Sequence, residues 1–132
     1  MNIIGLDIGD KRIGIAVSQS GVIASELTTI ENNKQAIPFL IDLIKQRNVN
    51  HLIVGFPLLK SGDISLQAKK VKGFVVELCE KYPIPVSYED EILTSYEAER
   101  LLKEQNLTVE QIRQRSDQMA AKIILEQYLS HQ

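Results

Sequence analysis

Apolar residues dominate positions 2–9, alternate through 13–18, and return at Val22, Ile23, Leu27 and Ile30. Runs of this length with period-two character read as β-strands. The breaks between them, at 9–11 and at Ser20-Gly21, are short enough to join antiparallel neighbours. The period then changes. Ile37, Leu40, Ile41 and Ile44 recur at helical spacing behind the capping candidates Asn32 and Asn33. A short apolar strand spans 51–55, and a loop carrying Pro57, Gly62 and Asp63 follows. Ser65 opens a long helix whose stripe is Val71, Phe74, Val75, Leu78, Cys79 and Tyr82, and Pro83 stops it. Residues 85–89 read as a fifth strand, expected in the centre of the sheet. Thr94 begins a further helix with Ala98, Leu101 and Leu102. Thr108 and Gln111 have the spacing of a capping box. A last helix is expected from about 116 to 129. The order βββαβαβα predicts an α/β fold: a mixed five-stranded sheet, a three-stranded antiparallel meander first and alternating helices and strands afterwards, with helices on both faces.

Composition fits this picture. A chain of 132 residues, 44% hydrophobic and 24% charged, is read as one soluble domain over 1–132 with a sizeable core. No apolar run approaches a membrane span, and the N-terminus lacks a secretory pattern. The lone Cys79 suits a reducing cytoplasm and falls on the helical core stripe, where it packs. Net charge is −2, which counts mildly against a nucleic-acid partner, although acids gathered at one place lower the total while a basic groove persists.

The chemistry begins with an acid in the wrong place. Asp7 is set among Ile3, Ile4, Leu6 and Ile8. A carboxylate there is costly unless a cation or a hydrogen-bond network compensates it, so the position reads as a site. A turn-capping role for Asp7 is the plainer alternative. Asp117 stands at the expected start of the last helix, with Ala120, Ala121 and Ile124 at i+3, i+4 and i+7, hence on the apolar stripe. A helix-dipole role is its alternative. Asp90 and Glu91 end the fifth strand, where ligands of such sheets gather. Acids converging from distant segments repel unless a cation joins them, and Mg²⁺ or Mn²⁺ prefers such oxygen ligands. His51 and His131 have no spaced partner, which argues against zinc, and the tyrosines at 82, 88, 96 and 128 read as packing. Lys69, Lys70 and Lys72 read first as a solvated helix face.

Four segments in order resemble the YqgF/RuvX family of the RNase H-like superfamily, which includes Holliday junction resolvases. They are Asp7-Ile8-Gly9-Asp10-Lys11-Arg12-Ile13-Gly14-Ile15-Ala16, Val54-Gly55-Phe56-Pro57-Leu58 with Gly62, Asp90-Glu91-Ile92-Leu93-Thr94, and Asp117-Gln118-Met119-Ala120-Ala121. The resemblance covers nearly the whole chain. It implies an RNase H-like fold and a metal-dependent nuclease using Mg²⁺ or Mn²⁺. The expected partner is nucleic acid: the 5′ end of pre-16S rRNA in ribosomal precursor particles, with four-way DNA junctions, or binding without efficient cleavage, as alternatives. Position by position it implies catalysis and metal coordination by Asp7, Glu91 and Asp117, with Asp90 a substitute for Glu91. Lys11, Arg12 and Lys60 become phosphate contacts. The family usually has Arg where Ile92 stands. One metal or two, and monomer or homodimer, stay open. An actin-like or sugar-kinase-like ATPase also places Asp and Gly on a first hairpin, but it needs a second related domain, and no Gly-Lys-Ser/Thr phosphate loop is present.

Overall fold

The computed structural model describes residues 2–57, 64–90, 100 and 103–131, the side chains at 109, 110, 113 and 114 excepted. Five strands form one sheet: β1 (Ile3–Ile8), β2 (Arg12–Ser18), β3 (Ser25–Glu31), β4 (His51–Phe56) and β5 (Val86–Asp90). Their order is β3-β2-β1-β4-β5. The first three strands pair antiparallel, whereas β4 and β5 add parallel to β1. The sheet is therefore mixed, as the switch from period two to period 3.6 requires. β5 is an edge strand, which corrects the expected central place. After the meander β4 returns to the free side of β1, and β5 is laid on the outer side of β4.

Among the described residues three helices cover the sheet: α1 (Ala36–Gln46), α2 (Leu66–Lys81) and α3 (Val109–Ser130). Side-chain alternation divides β1 between them. Ile4, Leu6 and Ile8 join a core with Leu40 and Ile44 of α1 and Val71, Val75 and Leu78 of α2. Ile3 packs on the other face with Ala121, Ile124 and Leu125 of α3. With helices on both sides every residue of β1 is buried.

Two boundaries depart from expectation for readable reasons. β3 begins at Ser25 rather than at Val22. The Ser18 hydroxyl accepts from the Gly21 N–H, and the Ser20 hydroxyl accepts from Val22 N–H and Ile23 N–H. Those donors are used inside the turn, and Val22 and Ile23 point to solvent. The last helix starts at Val109, not near 116. The Thr108–Gln111 capping box closes at 3.1 Å and 2.9 Å and starts the same helix that carries Asp117. α2 is capped by Ser65, whose hydroxyl accepts from Ala68 N–H at 3.0 Å. Asn33 does not cap α1 directly. Its side chain accepts from Gln35 N–H, and Gln35 occupies the cap without a side-chain bond. The helix expected from Thr94 falls largely outside the described residues. His51 is a satisfied strand residue, facing Ser87 Oγ at 2.9 Å and the Tyr128 hydroxyl at 3.4 Å; burial lowers its pKa. Cys79 packs against the core.

Candidate active site at the β1–β2 hairpin

Gly5 and Asp7 share a face of β1 with Ile3, the face that α3 covers. A side chain at Gly5 would come within 3.0 Å of the Ala121 carbonyl oxygen and of Leu125 Cβ, so the helix lies almost directly on the strand. Across the hairpin Asp7 pairs with Gly14. A Cβ on Gly14 would overlap the carbonyl group of Asp117 and reach 2.7 Å from Gln118 N. The backbone of Asp117 thus rests on the residue that stands beside Asp7. Directly opposed residues in an antiparallel pair lie about 5 Å apart. Two carboxylates separated by more than a hundred residues of chain are brought to one corner of the molecule.

Asp7 is 9% exposed, the one charged side chain in the buried set among the described residues. Among the described residues no buried side-chain nitrogen or oxygen lacks a hydrogen-bond partner. Asp117 is held by Arg12, whose Nε donates to its Oδ2 at 2.7 Å; the bond and the charge raise the Arg12 pKa. The neighbours of Asp117 fasten the helix on both sides of it. Arg115 Nη2 reaches Glu26 Oε2 at 3.1 Å, Gln118 Nε2 donates to Glu26 Oε1 at 3.1 Å, and Thr29 Oγ1 donates to Gln118 Oε1 at 3.2 Å. Glu26 and Thr29 lie on β3, so the first half of α3 is clamped to the meander.

The dipole role considered for Asp117 does not apply. The residue lies nine positions after the Thr108 cap, beyond the first turn. Lys11 and Arg12 are exposed in and beside the hairpin turn. The turn is fixed by Gly9 N–H donating to the Arg12 carbonyl at 2.9 Å and Asn32 Nδ2 donating to the Gly9 carbonyl at 2.7 Å. Glu91 and Lys60 lie outside the described residues. Asp90 does not join Asp7. It pairs with Phe56 in the register that sets Tyr88 opposite Val54, so it lies on the α1–α2 face, opposite to Asp7. The acidic residue of β5 on the α3 face is Glu89, paired with Gly55, its side chain only 16% exposed, with His131 Nε2 at 3.9 Å. Reading the motif alone missed Glu89; the alternation Val86, Tyr88, Asp90 against Ser87, Glu89 was the available signal once the buried face was known.

Two carboxylates at one corner are hard oxygen donors of the kind Mg²⁺ and Mn²⁺ take. Among the described residues no group of three or more His, Cys, Asp or Glu side chains could hold a metal. Asp7 and Asp117 therefore fit an ion as a partial set. The exposed Arg12–Asp117 pair contributes little to stability. Arg12→Gln is expected to cost under about 1 kcal/mol at low ionic strength, with the difference from the parent vanishing in 1 M salt. Chemical denaturation at the two salt concentrations measures this.

The whole chain superposes on resolvases of low sequence identity. Thermus thermophilus RuvC in complex with a Holliday junction substrate matches with TM-score 0.63 at 14% identity, covering 99% of this chain and 95% of that one. The fowlpox virus resolvase in complex with Holliday junction DNA matches with TM-score 0.59 at 14% identity, covering 99% and 98%. The fold is thus the RNase H-like fold of RuvC-type resolvases. The family can be stated more narrowly: the model described as "RuvX: Holliday junction resolvase" matches residues 1–131, and the chain belongs to that family. Relatives named "Putative pre-16S rRNA nuclease" include one from Crocosphaera subtropica, 43% identical over 129 residues, covering 96% of this chain and 90% of its own. Another, from Thermoanaerobacter pseudethanolicus, is 40% identical over 136 residues and covers 100% and 98%.

Proposed function

We propose that this chain is a nuclease that hydrolyses phosphodiester bonds of structured RNA with Mg²⁺ or Mn²⁺, and that its substrate is the 5′ leader of pre-16S rRNA. The observation that carries the reading is the convergence of buried Asp7 and half-buried Asp117 on Gly14. Family membership and the relatives' names support it. The working unit is a single nuclease domain over 1–132, acting in the cytoplasm on ribosomal precursor particles. No helix among the described residues is long and apolar enough to cross a membrane.

Asp7 and Asp117 would hold the ion, with Glu91 as the third acid by its place in the family motif. When bound, such an ion supplies positive charge for the phosphate and acidifies water for in-line attack. The protein's own contribution is placement. Gly14 lets Asp117 come down beside Asp7, and the bonds of Arg115 and Gln118 to Glu26 hold it there. Arg12 keeps the Asp117 carboxylate turned toward the hairpin and balances its charge. Lys11, exposed in the turn, and Lys60 receive the substrate phosphates. Glu89 faces the same side of the sheet as Asp7, two strands away, where it orients groups at the rim.

The test is a cleavage assay on a pre-rRNA 5′-leader transcript and on a four-way DNA junction, with Mg²⁺, with Mn²⁺ and with EDTA. Ion-dependent cutting of the leader is expected. Efficient cutting of the junction with the leader left intact would move the assignment to a resolvase. No cutting of either would remove the nuclease reading.

A further inference from the structure

Away from the acidic corner, the most uneven charge lies on α2. Its stretch 66–75 holds Lys69, Lys70 and Lys72 and no acid, while Glu77 and Glu80 come only afterwards. Ala68, Val71 and Val75 turn inward, so the three lysines stand in solvent. Their position draws no stabilisation from the helix dipole. The first turn has no acidic residue, and Lys69 and Lys70 follow the Ser65 cap by four and five residues. The positive end of a helix favours acids and disfavours cations.

The same end of α2 is fastened to the candidate site. Gln67 Nε2 donates to the Ile8 carbonyl at 3.1 Å, one residue after Asp7. Lys70 Nζ donates to Asp10 Oδ1 at 3.3 Å, and Asp10 precedes Lys11 and Arg12 in the turn. Lys69 and Lys72, three apart, stand about 5–6 Å from each other on the helix surface. Basic side chains of two separate elements thus border one edge of the hairpin.

We propose that the basic face of α2, fastened to the β1–β2 turn, is a rail for the phosphodiester backbone of RNA and leads the strand to the edge of the hairpin that carries Asp7. It rests on the nuclease reading but concerns binding alone. A contact of this kind is electrostatic and indifferent to sequence, so its signature is salt dependence. Each lost phosphate contact lowers the slope of log K against log[salt] by about 0.7 for single strands and about 0.9 for duplexes. One unit of slope is worth a factor of about ten between 1 M and 0.1 M salt.

The probe is a fluorescein-labelled RNA hairpin with a 5′ single-stranded extension, titrated by anisotropy in EDTA across a salt series. K69Q/K70Q/K72Q is expected to lower the slope by about two units and to weaken binding about a hundredfold at 0.1 M salt. K45Q/R47Q/K81Q removes the same charge at the far ends of α1 and α2 and is expected to keep the parent slope. Matching circular dichroism spectra and melting curves show that both variants fold. Parent-like slope and affinity in the first variant, or an equal loss in the control, overturns the rail while leaving the nuclease reading intact. If the parent itself fails to bind, both fall. Binding with the expected slope but without ion-dependent cutting removes only the nuclease reading.

Discussion

Asp7→Asn is expected to cut ion-dependent cleavage by about a thousandfold or more while leaving the fold in place. The rate follows from what the carboxylate holds. An ion at the reacting phosphate is worth several kcal/mol of charge stabilisation, and each 1.36 kcal/mol is tenfold in rate. An amide keeps the shape of the side chain but loses the negative charge that binds the ion. The stability follows from the setting. Asp7 is 9% exposed, on a strand whose every residue is buried, and its cross-strand partner Gly14 carries the backbone of Asp117. Replacing a buried charge by a neutral isostere removes a desolvation cost. The melting temperature in EDTA should therefore stay level or rise by a few degrees. Adding Mn²⁺ should stabilise the parent, because the ion binds only the folded state, and should stabilise the variant less. Cleavage by the variant within about threefold of the parent, from a nuclease-free preparation, would remove Asp7 from the chemistry.

Much of this corner was legible because its signals are local. An acid inside Ile3-Ile4-Gly5-Leu6-Asp7-Ile8 breaks a hydrophobic run that everything else maintains. Ala120 and Ala121 announce close helix packing, and the Thr108–Gln111 box announces a start. The box stands apart from the helix expected from about 116 because the mostly polar, Gln-rich residues at 111–118 hide the periodicity. The structure supplies the reason they are polar. Arg115 and Gln118 face Glu26 and Thr29 of β3, so this half of the helix is attached by ion pairs and amide bonds rather than by an apolar stripe. Partners eighty-nine and ninety-two residues apart leave no mark in a local pattern. The edge position of β5 was equally hidden, since a strand reading does not say which side of β4 the chain returns to. Once that register is known, Asp90 and Glu89 sort themselves onto opposite faces.

Gly14 is where sequence, packing and chemistry meet, and Gly14→Ala is expected to be among the most damaging single-methyl changes in the chain. Nothing about the backbone there requires glycine; the requirement is space. The added Cβ would overlap the carbonyl group of Asp117, which is backbone and cannot rotate away as a side chain would. The helix cannot lift easily either. It is tied to Glu26 by Arg115 and Gln118, and lies at 3.0 Å from the Cβ position of Gly5 one turn further on. Overpacking of a core by a methyl group commonly costs about 1–3 kcal/mol, and a rigid backbone obstacle belongs at or above the upper end. For a chain of this size about 3 kcal/mol lowers the melting temperature by roughly 10 °C. Any variant protein that folds carries Asp117 displaced from Asp7, and a shift of about 1 Å at a reacting centre is worth about a hundredfold in rate. Gly73→Ala is the matched comparison. A Cβ there meets nothing within 4 Å, on the surface of α2, so the same methyl should raise stability by about 0.5–1 kcal/mol through helix propensity. Opposite signs at the two glycines, read by thermal melting, are the expected result. A Gly14→Ala protein that melts within a few degrees of the parent and cleaves at its rate would mean that α3 is not seated on β2, and the pairing of Asp7 with Asp117 would go with it.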